Sequence, residues 1–372
     1  MPPRTVGPYQ IFSVIGRGGI GTVYLGRKHD TGQAVAVKLL GPAPAVDANA
    51  ARKLAREYEV LLTLDHPNVV HVLDAGVSEG YSFVAMELVE GLDLRSYLSI
   101  PVAEESAARA DPCAGADAAA EAFDVRALLR EPDTESLEPV RSWDPGPDAI
   151  RAFAAVVGEP ETETVTRSTL PPPAEAPRPE PTRPAAPPLD PRLAAALNRP
   201  GRLRRLREAL EQVCEGLAYV HAHGLVHRDL KPGNIMVDEQ HRARLMDFGL
   251  VALLDEGGSA HLGGKVAGTY RYMSPEQARG AAVDPRSDLY SLGVILYELL
   301  CGRTPFSARR PGELWHDILS RRPAPVASIN PGADPRLAII AERLLEKDPA
   351  ARFQSAEALL EALREGQDAT HH

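Results

Sequence analysis

Only three of the 372 residues are cysteine, at Cys113, Cys214 and Cys301. That number and spacing supports neither a disulfide framework nor a set of zinc ligands. They read as reduced thiols, with Cys214 and Cys301 packed in helices, and the chain reads as cytoplasmic. No apolar run approaches the roughly 18 residues a membrane span needs, and no signal-peptide pattern opens the chain. We therefore expect a protein with no membrane segment of its own, although Thr370-His371-His372 leaves open whether a native chain continues. Basic residues are also in deficit, with 41 Lys+Arg against 51 Asp+Glu for a net charge of −10. Neither charge nor motif suggests nucleic acid as the main partner.

The acidity is local. Residues 101–200 contain no lysine and hold 18 Asp+Glu against 10 Arg, leaving the flanking chain close to neutral. This stretch has two textures. Ala103 to Val157 is alanine-rich, with short amphipathic pieces such as Val125–Leu129 that could dock on a folded domain or a partner. From Glu159 onward come Thr162, Thr164, Thr166, Ser168 and Thr169, then a dense proline run from Pro171 to Pro191. Such a composition cannot bury enough apolar area to offset the entropy of ordering, so it reads as linker or polyproline-like spacer. The hydroxyl cluster is a candidate autophosphorylation patch and the proline run a candidate docking segment; a tolerated spacer accounts for both as well. Arg202, Arg204, Arg205 and Arg207 follow as a basic helix start, placed either to meet the acidic stretch or to face solvent.

What the chain does contain is a set of chemically specific motifs. His227-Arg228-Asp229-Leu230-Lys231-Pro232-Gly233-Asn234 is followed by Asp247-Phe248-Gly249. Phosphoryl transfer from ATP requires a carboxylate to orient the attacking hydroxyl and accept its proton, a nearby cation, and oxygen ligands for Mg²⁺. Asp229 would be the base, Lys231 the cation, and Asn234 and Asp247 the metal ligands. Upstream, Gly16-Arg17-Gly18-Gly19-Ile20-Gly21-Thr22-Val23 satisfies a GxGxxG pattern that is weak alone. A dinucleotide-binding site would need a helix directly after the glycines. Here Thr22–Leu25 and Ala34–Leu40 read instead as two strands around a His29–Gly32 turn, a hairpin that can lay glycine backbone over phosphates.

Together these motifs resemble the eukaryotic-type (Hanks-type) serine/threonine protein kinase family, and most of all its bacterial members. The resemblance covers roughly residues 9–99 and 201–363. It implies that Gly16, Gly18 and Gly21 cover the phosphates and that Lys38, closing Val35-Ala36-Val37-Lys38, holds them. A solvated strand end is the plainer reading of a lone Lys38. The helix from Asp47 to Leu64 would supply Glu57 as its ion-pair partner; Glu59 lies about 200° away at about 100° per residue, so both cannot face Lys38. Met86 becomes the gatekeeper, Glu87 to Val89 offer backbone groups to adenine, and Val23, Ala36 and Met236 sandwich the ring. Asp93 has two readings, a ribose contact or a helix N-cap.

Further along, Gly268-Thr269-Tyr270-Arg271-Tyr272-Met273-Ser274-Pro275-Glu276 matches the family's GTxxYMSPE. By the resemblance Thr269 bonds to Asp229 and Lys231, a mark of serine/threonine specificity that Lys231 shares. Glu276 would pair with Arg352 as a buried structural link, and Asp288 would hold the catalytic-loop backbone. Phe248 to Ala267 contains no threonine and one serine, Ser259. Either Ser259 is a phospho-switch read by Arg228, or the segment orders without phosphate and Arg228 pairs locally. His221, His223 and His227 could suggest a metal, but a structural zinc site expects four ligands; His227 is expected beneath Phe248, and the other two at a helix end.

The expectation is an α+β bilobal fold: a small five-stranded sheet with one main helix (9–92, including the hinge), then a mostly helical lobe (93–100 and 201–365) interrupted by the insertion at 101–200. ATP and Mg²⁺ are the implied cofactors, with Mn²⁺ as a substitute, and the implied reaction is transfer of the ATP γ-phosphoryl group to serine or threonine of protein substrates, with autophosphorylation. The rival is a nucleotide-binding pseudokinase scaffold whose insertion recruits partners.

Overall fold

A computed structural model describes residues 4–17, 21–40, 59–78, 81–100, 188–248, 269–308 and 310–365. The expectations for Gly18, Glu57, Cys113, Ser259, the hydroxyl tract and the proline tract up to residue 187 fall outside these residues. So does the side chain of Thr269.

The N-terminal part is an antiparallel sheet of six strands rather than five: β1 (Thr5–Val6), β2 (Tyr9–Arg17), β3 (Gly21–Lys28), β4 (Ala34–Leu40), β5 (Val72–Ser78) and β6 (Tyr81–Glu87), in the order β1-β2-β3-β4-β6-β5. The extra strand is two residues long and extends the edge through Val6, opposite Tyr9. Alternation along β4 explains how the sheet builds a site. Val35, Val37 and Leu39 point to one face and join Val6, Tyr9, Phe83 and Ala85 in a small cluster. Ala36 lies on the opposite face, packed with Val23, Val84 and Met86, and Lys38 shares that face because side chains alternate with period two. Of the expected helix, the described residues 59–63 are helical, with Glu59 exposed and Leu61 buried.

A second sheet joins the lobes: β7 (Gly91–Asp93), β8 (Ile235–Asp238) and β9 (Ala243–Leu245), in that order. It is pinned to the upper lobe where Val70 N–H donates to the Leu245 carbonyl at 2.9 Å and Leu245 N–H to that of Asn68 at 2.9 Å. A Cβ on Gly91 would lie 2.2 Å from the Val237 carbonyl oxygen. Gly91→Ala is therefore expected to push β7 off β8 and destabilise the fold by roughly 1–3 kcal/mol, the range of overpacked sites. The midpoint of urea denaturation checks it.

The larger lobe is helical around Pro285–Cys301, in which nearly every residue is buried. A helix apolar on all sides belongs inside a packed lobe. Against it lie Pro335–Leu344, approaching closely at Gly293, and the capping helix Pro191–Leu197; Ala356–Arg364 packs on Pro200–Ala222. Helix starts are marked by side-chain caps: Asp284, Asp334 and Ser355 accept from backbone N–H groups of the first turn, and Ser274 forms a reciprocal capping box with Gln277. These are the residue types that satisfy otherwise orphaned donors. Cys214 and Cys301 are both buried in helices.

Two features differ from the expectations. The described chain from residue 188 packs on the helical lobe, ahead of the expected boundary at 201: Asp190 caps a helix over Pro191–Leu197, Leu189 N–H donates to the Ile329 carbonyl, and the Asn198 and Asn330 amides bond to each other. Leu189, Leu193 and Leu197 close over Gly302. Their spacing at four residues is a helical stripe, partly hidden in the sequence by surrounding prolines.

Among the described residues most of the arginine cluster is engaged by the helical lobe rather than simply facing solvent; whether it meets residues 101–187 lies outside the described residues. Arg202 donates to the Leu197 and Leu299 carbonyls, and Arg205 to those of Tyr97 and Ile100. Arg207 pairs with Asp334. The carbonyls accepting from Arg202 and Arg205 belong to helix C-terminal turns, whose C=O groups lack intrahelical donors and attract cations. Only Arg204 stays on the surface, 3.9 Å from Glu208.

Candidate active site

The catalytic loop is held in a strained shape by one buried carboxylate. Arg228 has φ 66° and Asp247 φ 60°, left-handed values that cost a non-glycine residue about 1–3 kcal/mol. Asp288, in the first turn of Pro285–Cys301 and 1% exposed, accepts from the backbone N–H of His227 (2.7 Å) and of Arg228 (2.8 Å), and its Oδ2 lies 2.9 Å from His221 Nε2. Two charge-assisted bonds to adjacent amides offset the strain. Burial pulls His227 below its ordinary pKa, favouring the neutral ring. Its Nε2–H donates to the Met246 carbonyl at 3.0 Å and the ring packs on Phe248 with centroids 4.8 Å apart. His223 Nδ1 meets the Tyr219 carbonyl at 2.8 Å. The three histidine rings thus engage separate protein partners.

This frame presents Asp229. Its Oδ2 accepts from Lys231 Nζ at 2.6 Å and from Asn234 Nδ2 at 3.1 Å, and Asn234 Nδ2 also reaches the Asp229 carbonyl at 2.7 Å. With the Asn234 amide nitrogen so committed, its side-chain oxygen is the end left for a cation. Met246 N–H donates to the Asn234 carbonyl at 3.0 Å, which brings Asp247 alongside. Lys38 Nζ stands 3.0 Å from Asp247 Oδ1, with both side chains 16% exposed. That oxygen is buried and accepts no aligned hydrogen bond.

A buried carboxylate oxygen that accepts no aligned hydrogen bond, with Lys38 as its ionic neighbour, suits a hard divalent cation. Mg²⁺ typically takes one or two protein carboxylates and completes its shell with phosphate and water. Among the described residues no group of three or more His, Cys, Asp or Glu is placed to hold a metal ion by itself.

The residues expected around a nucleotide lie on the two sheets. Val23, Ala36 and Met86 are buried on one face of the upper sheet. Gly16 pairs with Val23 across the β2–β3 hairpin, and Gly21 opens β3. Met236 is half-buried and alternates with core-facing Ile235 and Val237 on β8. Val89 N–H has no acceptor among the described residues. Asp93 is an N-cap: it accepts from Ser96 N–H at 2.9 Å and from the Ser96 hydroxyl at 3.1 Å.

Two contacts escape the sequence. One is Lys38 to Asp247, since a lysine on a strand and an aspartate two hundred residues later carry no mutual signal. The other is a brace behind the hinge: Glu87 Oε1 accepts from Arg244 Nη1 at 2.6 Å and from His71 N–H at 3.0 Å, while Arg244 Nε lies 3.6 Å from Asp238. The charged side chain of Glu87 thus faces the brace, and its backbone N–H donates to the His71 carbonyl at 3.0 Å. The expected Glu276–Arg352 link is present, at 2.7 and 2.9 Å. Among the described residues no helix is long and apolar enough to cross a membrane.

Comparison with known proteins agrees with this geometry. The family described as protein tyrosine and serine/threonine kinase matches residues 9–360. The serine/threonine-protein kinase Pkn2 of Myxococcus xanthus is 30% identical over 96% of this chain and 32% of its own length. PrkC of Bacillus subtilis is 27% identical over 95% of this chain and 40% of its own length. PknB of Mycolicibacterium smegmatis is 41% identical over 41% of this chain and 25% of its own length. The chain thus spans well under half the length of these curated relatives. Among solved structures, the PknI kinase domain of Mycobacterium tuberculosis superposes with a TM-score of 0.54 at 22% identity, covering 97% of this chain and 96% of that one. With the family's match running from the first long strand to the last helix, and a bilobal kinase fold beneath it, this chain belongs to the protein tyrosine and serine/threonine kinase family.

Proposed function

We propose that the chain is an ATP- and Mg²⁺-dependent protein kinase that transfers the γ-phosphoryl group to serine or threonine hydroxyls of protein substrates, itself included, in the cytoplasm. One observation carries the reading: Asp229, Lys231 and Asn234 converge within hydrogen-bonding distance, with Asp247 and Lys38 beside them. Asp229 orients the acceptor hydroxyl and takes its proton as the oxygen attacks. Lys231, held against Asp229, places positive charge where the transferred group gathers negative charge. Asn234 and Asp247 would hold the magnesium ion, whose chemistry is to neutralise the β- and γ-phosphate oxygens. Lys38 is positioned to engage the α- and β-phosphates on leaving Asp247, with Glu57 as its proposed partner in that state. Gly16, Gly18 and Gly21 would lay backbone amides over the phosphates. The Glu87 and Val89 backbone would read adenine between Val23, Ala36, Met86 and Met236. The names of the curated relatives favour serine and threonine as acceptors. The insertion at 101–200 is proposed as a docking element for partners.

The test is incubation of the pure protein with Mg²⁺-ATP and a generic basic protein, followed by mass-spectrometric mapping of phosphosites. Phosphate on serine or threonine is expected; phosphate confined to tyrosine, or none despite ATP binding, would overturn the assignment. Lys38→Met is expected to lower kcat/KM for ATP roughly 10²–10³-fold, the scale of removing one preorganised charge from a transferring group. Steady-state kinetics at varied ATP measure it. No feature of the site favours a scaffold without chemistry, because each catalytic group the motifs require is present.

A further inference from the structure

The segment that ends at Ser274 and the loop that carries Asp229 are joined by one side-chain amide, that of Gln277. Gln277 lies in the short helix Pro275–Ala278 and closes its capping box. Its Oε1 accepts from the Ser274 N–H at 3.0 Å, and the Ser274 hydroxyl accepts from the Gln277 N–H at 3.3 Å. The other end of the same amide leaves the helix: its Nε2 donates to the Arg228 carbonyl at 2.8 Å, 49 residues back in the chain. One partner is a donor and the other an acceptor, so the two ends of the amide cannot be exchanged. The helix beneath is itself anchored. Glu276 is held by Arg352 and by the Ser287 hydroxyl, and Trp315 Nε1 donates to the Ala278 carbonyl at 2.9 Å. The Arg228 carbonyl belongs to the peptide that leads into Asp229. The N–H of that peptide donates to the His227 carbonyl at 2.9 Å, so Gln277 and His227 hold both of its polar groups. Arg228, at φ 66°, is therefore fixed at its N–H by Asp288 and at its carbonyl by Gln277. Beyond Asp229, Asn234 Nδ2 donates to the next carbonyl at 2.7 Å. The peptides on both sides of Asp229 are thus tied down, and they set where its carboxylate points.

We propose that Gln277 is a positioning residue for the catalytic base: its amide locks the Arg228–Asp229 peptide and so aims Asp229 at the acceptor hydroxyl, acting through the backbone. The inference rests on the kinase reading above and adds a residue to it. The capping box on its own does not need glutamine. Glutamate at that position also accepts from the N-cap N–H, and its charge suits the first turn of a helix. An ionised glutamate cannot donate, however, and at the Arg228 carbonyl it would set one oxygen acceptor against another. The bond to Arg228, not the cap, is what calls for an amide at residue 277.

Gln277→Glu separates the two roles. With the full chain, Mg²⁺-ATP and a generic basic protein, its single-turnover rate is expected to fall roughly 10–100-fold, up to the scale of misplacing a catalytic group by about an ångström. Its affinity for ATP and its midpoint of urea denaturation are expected to stay close to those of the unmodified chain. Ser274→Ala is the reciprocal variant. It removes the hydroxyl from the cap and leaves both bonds of the Gln277 amide in place, so the denaturation midpoint should fall while transfer continues at close to the unmodified rate. A Gln277→Glu chain that transfers phosphate at the unmodified rate overturns the inference and leaves the kinase reading standing. So does an equal loss of rate in both variants, or a loss in Gln277→Glu accompanied by a fall in its denaturation midpoint, because the cap rather than the bond to Arg228 then carries the effect. Absence of transfer by the unmodified chain, to itself and to generic protein, overturns both.

Discussion

Asp229→Asn is expected to lower phosphoryl transfer by roughly 10²–10⁴-fold, the range for removing a positioned general base, with ATP binding retained. The substitution keeps the shape of the side chain and removes the charge. Asparagine cannot accept the acceptor hydroxyl's proton, and Lys231 loses the carboxylate 2.6 Å away that holds it in place. Val23, Ala36 and Met86, proposed to face the nucleotide, sit on the upper sheet, away from the catalytic loop that carries Asp229. Turnover and ATP affinity should therefore separate. Measured turnover close to that of the unmodified chain would remove Asp229 from the mechanism. A parallel fall in ATP affinity and in denaturation midpoint would point to disruption of the loop rather than of chemistry.

Arg352→Met is expected to be the most destabilising single change, by roughly 3–5 kcal/mol, because it strands a buried charge. Arg352 is 1% exposed and the largest fully buried side chain among the described residues. It donates to both Glu276 oxygens, to the backbone carbonyls of Arg286, Glu346 and Lys347, and stacks over Tyr290 at 4.9 Å. Methionine fills much of the space but supplies no donors, leaving Glu276 with the Ser287 hydroxyl at 2.6 Å. Urea denaturation monitored by fluorescence measures the loss. Pairing the change with Glu276→Gln should recover part of it, because the stranded charge is then gone.

The pH dependence of that loss has a definite sign. Burial on its own would raise the Glu276 carboxyl, but the bonds from Arg352 and Ser287 outweigh it and hold the carboxyl below its ordinary value of 4.5. A folded-state value below the unfolded one means the unfolded chain takes up the proton first, so the contribution is fully present above about pH 4.5 and is lost as pH falls through the lower folded value. The gap between the unmodified chain and Arg352→Met should accordingly narrow in acid. A gap that stays constant from pH 7 down to pH 3 would mean that packing, not charge, carries the effect.

Much of the site was legible because its groups are close in sequence or repeat a fixed period. Asp229, Lys231 and Asn234 span six residues on one turn, so their mutual bonds follow from local backbone geometry. Alternation along Val35-Ala36-Val37-Lys38 places Ala36 and Lys38 on the face opposite Val35 and Val37, as any strand must. The two readings of Asp93 were a different matter. Ribose contact and N-cap use the same carboxylate, and only the position of Ser96 N–H chose the cap. Arg202, Arg205 and Arg207 read as a charged surface because sequence cannot show which helix ends lie opposite; the open carbonyls of Leu197, Leu299, Tyr97 and Ile100 decided their roles.

By itself, then, the sequence determined the fold class, the catalytic-loop motif and the strand pair around the His29–Gly32 turn, since these rest on local spacing and on alternation. Only the tertiary structure decided that Lys38 stands on Asp247, that Glu87 braces the hinge through Arg244, that the chain from residue 188 belongs to the helical lobe, and that Glu298 is covered by Arg95 and Tyr272. The physical reason is common to all four. Charge pairing and burial act across space at a few ångströms, and residues separated by tens to hundreds of positions leave no periodic trace of the partner they will meet.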